Sequence, residues 1–258
     1  MVGAGYAHVE GDVFFNPVLQ VEDASVSGQA TAISYVRSFS VGEKLLRLDV
    51  IVPWANMRWS GLLNGAPATV SRVGLADPSI RLSMILAGGK PDKLAPSHTV
   101  IGAAIKINVP LGEYLDDKLL NLGENRFVVR PQIGVLHTRG KWSYELTGSV
   151  FLYGDNDDFY GGSKLQQDPL YAVQSHIIRT FARPGYWVAL SAAYGRDGRS
   201  TVGVAKADDS RRLFLSALAV GIPVGRKQGI KFAYVRSRTN TPTGGDVDTL
   251  SVGWSYRF

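Results

Sequence analysis

Charged and amide side chains occur singly inside otherwise apolar segments of this sequence, and their chemistry is the first to consider. They are Arg47, Asp49, Arg81, Lys106, Arg126, Arg130, Glu145, Gln174 and His176. Cations predominate, so the set is suited to holding anions rather than to making or breaking bonds. Because an unpaired charge in a narrow interior costs several kcal/mol, we expect pairs such as Asp49 with Arg81. Two interpretations stay open: a basic constriction that favours anions, and an arginine–carboxylate ladder that plugs the interior.

A second candidate site is the acidic segment GDNDDFYGG at residues 154–162. Clustered carboxylate and amide oxygens are ligands for calcium, but the segment lacks the glutamate that ends a helix-flanked calcium loop. A surface loop held by Asx-turns and glycines is the main alternative. A third interpretation is a gating loop in which Asp157, Asp158, Phe159 and Tyr160 fold inward and narrow an opening. Residues 112–124, acidic and leucine-rich, are a candidate for a short helix covering the same opening.

Catalytic chemistry finds little support in the sequence. There are four histidines, and a serine precedes two of them, at Ser97–His98 and Ser175–His176. Neighbouring strand residues point to opposite faces, which separates such a nucleophile from its base. We therefore expect no enzyme, with His176 a polar interior residue beside Gln174 and His137 at an interface. The absence of cysteine excludes disulfides, thiolate zinc sites and cysteine nucleophiles, and we expect no cofactor or bound metal.

The segments that carry these residues alternate strictly between apolar and polar positions, which is typical of β-strands. Leu46, Leu48, Val50, Val52 and Trp54 fall on one face, for example, while Arg47 and Asp49 fall on the other. The same alternation recurs near residues 79–86, 98–109, 126–135, 142–152 and 249–258. It is weaker near 27–39, 170–182, 185–195, 211–223 and 228–237. The pattern predicts an all-β protein.

The length and chemistry of these segments favour a membrane barrel over a soluble sandwich. They run to about 12 residues, enough to cross a bilayer at a tilt, whereas sandwich strands have about 5 or 6. Aromatic residues lie at segment ends, as in interfacial girdles; they are Trp54, Phe127, Trp142, Tyr186, Tyr194, Trp254 and Phe258. The longest uncharged apolar run has 13 residues, 213–225, too short for a membrane helix. A mean hydropathy of 0.00 follows from alternating apolar and polar faces.

The links between segments alternate in length, as outer-membrane barrels require. Short links lie near 40–42, 138–140, 183–185 and 224–227, and longer ones near 55–76, 111–124, 154–169, 196–210 and 238–245; the link at 89–96 is a longer inner turn. Eleven strands follow residue 27, and an ascending strand at about 8–20, with Val13, Phe15, Pro17 and Val18, makes 12. Counts of 10 and 14 stay open. We expect one domain over 1–258, with 1–7 disordered and the first strand and loop within 8–26.

Several segments resemble known proteins. The C-terminal WSYRF at 254–258 is similar to the terminal aromatic signature that the barrel-assembly machinery reads in bacterial outer-membrane proteins. LADPSIRL (75–82), VPLGEY (109–114), LLNLGENR (119–126), GDNDDFYGG (154–162) and QDPLY (167–171) resemble the transporter family named after the MetA pathway of phenol degradation. The resemblance covers roughly residues 25–258. It implies a barrel in the outer membrane of a Gram-negative bacterium and small organic, including aromatic, substrates, and it supplies no catalytic residues.

We therefore expect a monomeric, antiparallel, up-and-down transmembrane barrel of about 12 strands. It would pass small polar or amphiphilic organic solutes, including aromatic or anionic ones, by facilitated diffusion. A closed structural or adhesion barrel and a lipid-modifying enzyme are the alternatives. On the inward face we see no continuous apolar stripe.

The expected partners follow from this assignment. They are outer-membrane lipid and lipopolysaccharide, the solute, and the barrel-assembly machinery through Phe258. The net charge of +6 is scattered along the chain, so we expect no nucleic acid. Residues 1–8 lack a basic and an apolar region, so we expect that a signal peptide is not part of this sequence.

Overall fold

The computed structural model of the chain describes residues 1–14, 21–88, 97–182, 185–207 and 209–258. All of the regular secondary structure in these ranges is β-strand, as the alternation predicts. In the same ranges no helix is long and apolar enough to cross a membrane.

The strands are numbered along the chain. They are β1 (Val2–Phe14), β2 (Val21–Val41), β3 (Lys44–Leu63), β4 (Ala66–Leu75), β5 (Ser79–Ala87), β6 (Ser97–Asn108), β7 (Val128–Arg139), β8 (Trp142–Tyr153), β9 (Asn156–Phe159), β10 (Ser163–Gln167), β11 (Leu170–Thr180), β12 (Trp187–Asp197), β13 (Ser200–Val202), β14 (Ala205–Lys206), β15 (Arg211–Pro223), β16 (Gln228–Thr239) and β17 (Gly244–Tyr256).

Twelve of these strands form one closed antiparallel barrel, which confirms the predicted fold and strand number. Each barrel strand pairs with its neighbours along the chain, and β1 closes the ring by pairing with both β17 and β2. Val2, for example, lies opposite Tyr256 on one side and Tyr35 on the other. Closure leaves no sheet edge, so the backbone groups of the wall find partners within it, as a bilayer requires.

The first strand differs from the prediction. It occupies Val2–Phe14, so it begins before residue 8, and residues 2–7, which we expected to be disordered, form its first half. The continuous pairing of Gly3, Gly5 and Ala7 with β17 explains the order of this segment. Phe15, Pro17 and Val18 lie outside the described residues.

One predicted loop, 55–76, is a hairpin instead. β3 continues to Leu63, and β4 returns along it with Leu63 opposite Ala66 and Trp54 opposite Leu75. Asn64 and Gly65 make the turn with φ of 52° and 75°. An Asn-Gly pair with both φ values positive is the preferred two-residue hairpin turn, so the sequence carried a signal that we missed. β2, β3 and β4 therefore extend as a three-stranded sheet beyond the rest of the wall at the long-loop end of the barrel.

Two other long links also contain strands. β9 and β10, from the link at 154–169, pair with β13 and β14, from the link at 196–210, in a separate four-stranded sheet. This sheet lies at the same long-loop end. The opposite end carries the tight turns, such as the one at Gly42 between Val41 and Lys44, and is called the short-turn end.

Strand register assigns each side chain to the lumen or to the outer surface. Arg37 and Arg179, whose faces the alternation left ambiguous, share the outward face with Tyr35 and Trp142. Both cations lie toward the short-turn end, and the Arg179 guanidinium lies 4.6 Å from the centre of the Trp142 ring. A guanidinium held against an aromatic ring in this way makes a favourable cation–π contact.

Candidate functional site

Three cations on successive strands form a continuous row on the lumen face. Arg81 on β5 lies opposite Lys106 on β6, which in turn lies opposite Arg130 on β7. Directly opposed side chains are near neighbours, and like charges so placed repel each other. No carboxylate among the described residues lies within ion-pairing distance of these three side chains. This arrangement, called the cationic row, is suited to attracting a mobile anion.

The predicted pair between Asp49 and Arg81 does not form. The two residues are opposed in the register, but Arg47 binds Asp49 instead, with 2.6 Å between Nη2 and Oδ1. Arg47 lies two positions away on the same strand face, so its side chain reaches the carboxylate along β3. Arg81 donates from Nε to the Ser83 hydroxyl at 3.1 Å. The cationic row therefore keeps its charge.

Polar side chains continue from the cationic row around the lumen. Arg130 donates from Nη2 to Oε1 of Gln174 at 3.1 Å and lies 4.4 Å from the centre of the Phe151 ring. The Gln174 amide nitrogen lies 3.2 Å from Nε2 of His176. On the other side of the imidazole, Nδ1 lies 2.7 Å from the Ser191 hydroxyl. The lumen thus has an ordered polar wall that includes the predicted residues Gln174 and His176.

The same wall brings together a serine, a histidine and an acid that the sequence analysis did not connect. His176 lies opposite Glu145 on β8 and opposite Ser191 on β12; their wide separation along the chain hid the grouping. In a catalytic triad an acid orients the histidine through the nitrogen that does not face the nucleophile. Here Gln174 occupies that nitrogen, and Glu145 accepts a hydrogen bond from Thr147 at 3.2 Å. The contacts order the wall and do not match those of a triad.

Arg126 lies at the long-loop end rather than beside Arg130. We expected it on the lumen face beside Arg130, but it precedes β7 and is only 6% exposed. Its Nη2 lies 3.0 Å from Oε2 of Glu124, and its guanidinium lies 4.8 Å from the centre of the Tyr153 ring. The same Nη2 donates to Oε1 of Gln167. Arg126 therefore joins two loops at the long-loop end, and its side chain lines a cavity there.

The lumen has a second wall of a different kind. On β1, β12, β15, β16 and β17 the inward positions hold mostly small or aliphatic residues, apart from Trp187 and two cations, Arg211 at the long-loop end and Lys231 toward the short-turn end. The register runs without interruption from strand to strand. These residues, called the apolar wall, are Gly5, Ala7, Val9, Ala189, Ala193, Leu213, Leu215, Ala217, Ala219, Ala233, Val235, Ser251 and Gly253. Our expectation that no continuous apolar stripe faces the lumen was wrong. The small inward residues differ little in hydropathy from the apolar residues of the outer face, so the alternation along each strand is weak. The wall is therefore recognised only from the register of the strands.

The two walls face each other. In the order of strands around the ring, β5, β6 and β7 lie six positions from β15, β16 and β17. In a closed ring of twelve strands, six positions is half the circumference. The cationic row therefore looks across the lumen at the apolar wall.

Three cavities follow the lumen. One of about 980 Å³ lies at the long-loop end between Arg126, Phe159, Tyr160 and Leu213 and is called the vestibule. A second, of about 310 Å³, is lined by Arg47, Arg81, Gln132, Glu145 and Gln174. A third, of about 450 Å³, lies toward the short-turn end beside Trp187, Gly221 and Lys231.

Trp187 narrows the lumen near the short-turn end by lying across a glycine. A Cβ added at Gly221 would stand 2.1 Å from the indole Nε1 of Trp187, which is opposite it in the register. A side chain at position 221 must therefore displace the indole from the wall. The glycine sets how far Trp187 projects into the lumen.

Replacing Gly221 with alanine should narrow the lumen, because the displaced indole would project further into it. If the lumen conducts ions, its unit conductance should fall by an amount on the order of tens of per cent. Planar-bilayer recordings measure this directly. Gly253→Ala is the matched control, since a Cβ there would meet nothing nearer than the Ala4 carbonyl at 3.8 Å. Equal conductance in both variants and the wild type would show that Trp187 does not limit flow.

An aspartate at a break between two strands fixes the loop at 109–127. Residues 76–78 form the break between β4 and β5, which both pair with β3. At this break the Asp77 carboxylate accepts hydrogen bonds from the backbone N–H groups of Gly112 at 2.9 Å and of Glu124 at 2.8 Å. A Cβ at Gly112 would lie 2.8 Å from Cα of Gly123. The two ends of the loop are therefore held together on Asp77.

This loop fills the barrel wall beside the free edge of β4. Glu113 donates its backbone N–H to the Leu75 carbonyl at 2.7 Å, and Arg72 donates from Nε to the Leu120 carbonyl at 3.0 Å. Residues 112–124 contain turns and bends rather than the short helix that we expected. The bonds to Asp77 and β4 satisfy the backbone in place of a helix.

The acidic segment at 154–162 is tied to the same loop. Asn156 is only 1% exposed, and it donates to the Tyr114 hydroxyl at 2.9 Å and to the Glu124 carbonyl at 3.2 Å. With Asp77, Gly112 and Arg126, these contacts unite all of the segments that carry the family resemblance, Gln167 included. Those segments therefore build the loop scaffold of the long-loop end.

Two of the three aspartates of this segment share one lysine. Lys164 Nζ lies 2.7 Å from Oδ2 of Asp155 and 3.0 Å from Oδ1 of Asp157. The hydrogen bond from Lys164 lowers the pKa of the Asp155 carboxyl, and both carboxylates raise the pKa of Lys164. The Lys164 ammonium occupies the position between these carboxylates where a metal cation would bind. The described residues contain no group of three or more metal-ligating side chains.

The four residues of the predicted gating loop divide into two pairs. Asp157 and Asp158 point to solvent, whereas Phe159 and Tyr160 line the vestibule. Only the aromatic pair is thus in a position to contact a solute.

Comparisons with known proteins agree with this architecture. A model of the family described as "Putative MetA-pathway of phenol degradation" matches residues 16–244. The COG4313 outer membrane channel from Pseudomonas putida F1 is similar in structure, with a TM-score of 0.81 and 18% identity over 100% of this chain and 95% of that one. The transport unit of the autotransporter AIDA-I from Escherichia coli has a TM-score of 0.60 and 9% identity over 100% and 90%. At these identities the likeness concerns the fold. A search of curated proteins found no match.

Proposed function

This chain belongs to the family of the MetA-pathway of phenol degradation, and we propose that it is an outer-membrane channel for passive diffusion of small amphiphilic organic anions. The observation that carries the proposal is the two-sided lumen, in which the cationic row faces the apolar wall. The solutes that suit both walls have an apolar body, aromatic or aliphatic, and one anionic group. The similarity in fold to a COG4313 outer membrane channel supports a channel role.

The two walls would act on different parts of such a solute. The cationic row attracts the anionic group and compensates for part of its lost hydration, which otherwise opposes entry into a narrow lumen. The apolar wall offers the apolar body of the solute a surface that binds water only weakly, so little bound water has to be displaced. Because neither wall encloses the solute, binding stays weak enough for release, and diffusion down a gradient needs no energy source.

The outer surface supports a location in the outer membrane. Its outward residues form an apolar belt that includes Ile33, Leu82, Ile105, Leu190 and Leu218, each largely exposed. In a bilayer these side chains would contact lipid, and lipopolysaccharide would cover the long-loop end. Phe258 would contact the barrel-assembly machinery. The protein would act as a monomer, because the barrel closes within one chain.

Planar-bilayer recordings test the channel itself. Purified protein should give discrete conductance steps, and the reversal potential in a salt gradient should show a preference for anions. Liposomes that contain the protein should swell in small organic solutes. A folded barrel that gives neither conductance nor swelling would overturn the proposal and favour a closed structural barrel.

A further inference from the structure

A separate apolar cavity lies beside the vestibule, inside the extended sheet of β2, β3 and β4. It has a volume of about 360 Å³ and is called the outer pocket. Its walls come from the inner face of the sheet and from the tip of the loop at 109–127. The lining includes Ala24, Trp59, Ala68, Val70, Leu120 and Tyr160.

The outer pocket adjoins the conducting path without being part of it. Leu119 and Tyr160 line both the outer pocket and the vestibule, so these two side chains separate the cavities. The inward face of β4 lies closer to the long-loop end than the point at which β5 joins the barrel wall. A molecule in the outer pocket is therefore outside the lumen and one pair of side chains away from it.

The chemistry of the outer pocket changes along its length. Trp59, Val70 and Leu120 provide an apolar surface, while Arg72, Asp117 and Lys118 form a polar group in the lining. Lys118 binds its neighbour Asp117. Arg72 uses Nε and Nη1 for the Leu120 and Ser71 carbonyls, each at 3.0 Å. These bonds hold the guanidinium in place, and within the described ranges the other amino group, Nη2, has no hydrogen-bond partner.

The volume narrows the class of ligand. An apolar cavity of about 150 Å³ is enough for benzene, and pockets for organic ligands begin near about 300 Å³. The outer pocket, at about 360 Å³, therefore has room for one substituted ring or two fused rings. The flat faces of Trp59 and Tyr160 suit a planar ring.

We propose that the outer pocket is a capture site for a planar one- or two-ring organic molecule, with its polar substituent at Arg72 and its rings against Trp59, Val70 and Leu120. The ring system would leave past Tyr160 into the vestibule. That transfer step rests on the proposed channel function, whereas the binding itself does not.

Ligand-observed saturation-transfer NMR on the detergent-solubilised full chain tests the binding, with 2-naphthoate as the probe. The wild type should transfer saturation to the rings. Ala68→Phe fills the outer pocket and should weaken binding at least about tenfold. Thr69→Phe is the matched control, because Thr69 is the next residue of β4 and faces outward, where its hydroxyl contacts Ser60. This control should bind as the wild type does.

A second variant guards against misfolding of the sheet. Leu120→Ser changes the loop rather than β4 and should also weaken binding. Each variant must keep the heat-modifiable mobility of a closed barrel on electrophoresis. Probe binding that is unchanged in both Ala68→Phe and Leu120→Ser would overturn the capture site even if the channel conducts. Binding that both variants abolish would support it even if no conductance is seen.

Discussion

Replacing both Lys106 and Arg130 with glutamate should turn the proposed anion preference of the lumen into a preference for cations. The two cations are directly opposed on β6 and β7 and face the lumen. The change reverses two charges at one level of the path, where a charge a few ångströms from an ion is worth about 1 kcal/mol even in water. The anion-to-cation permeability ratio should therefore fall by on the order of tenfold or more.

The reversal potential of single channels in a salt gradient measures this ratio. Arg196→Glu with Arg212→Glu is the matched control, because these cations are also directly opposed on neighbouring strands but face outward. It makes the same change in net charge and should leave the sign of the reversal potential unaltered. If the lumen variant keeps its anion preference in an intact barrel, the cationic row does not line the conducting path.

Replacing Asp77 with alanine should release the loop at 109–127 and enlarge the outer opening. The substitution removes the acceptor for two backbone N–H groups, at 2.9 and 2.8 Å. Hydrogen bonds to a charged group contribute about 1.5–3 kcal/mol each, and both groups are lost together. The loop carries Leu119, which lines the vestibule, so we expect larger and noisier conductance.

Limited proteolysis checks the structural half of this prediction, since a released loop should be cut between residues 109 and 127. Asp158→Ala is the control, because this carboxylate points to solvent and only its backbone carbonyl holds the Tyr114 hydroxyl. A protease-resistant Asp77→Ala channel with ordinary conductance would show that the contacts to β4 suffice to hold the loop.

The sequence predicted those features that depend on alternation alone. Leu46 to Trp54 on one face and Arg47 and Asp49 on the other follow from the period of a strand, and the register reproduces this division. The strand number followed from the alternation of short and long links. Both properties are local, so they are visible without knowing which strands are neighbours.

The rest depended on contacts between distant segments. Asp49 had two cations within reach, Arg47 and Arg81, and only side-chain geometry decided between them. The inward face of β15, with Leu213, Leu215, Ala217 and Ala219, is as apolar as its outward face, so hydropathy could not assign it. The hairpin turn at Asn64 and Gly65 was readable from sequence, and the long link predicted at 55–76 obscured it.

The segments of the family resemblance illustrate the same limit. Asp77, Gly112, Asn156 and Gln167 are far apart in the chain, yet their hydrogen bonds tie the loops of one end together. The acidic segment suggested calcium because its nearest cation, Lys164, lies on the returning strand β10. A strand-by-strand reading does not reveal that partner.

Uptake by liposomes tests the central claim most directly, because it compares a solute that has both an anionic group and an apolar ring with solutes that lack one of the two. Phenylacetate has both an anionic group and an apolar ring, phenylethylammonium keeps the ring but carries a cation, and gluconate is an anion without an apolar body. The two-sided lumen predicts that phenylacetate enters protein-containing liposomes fastest of the three. Equal rates for the two ring compounds, or rates no higher than in liposomes without protein, would contradict it.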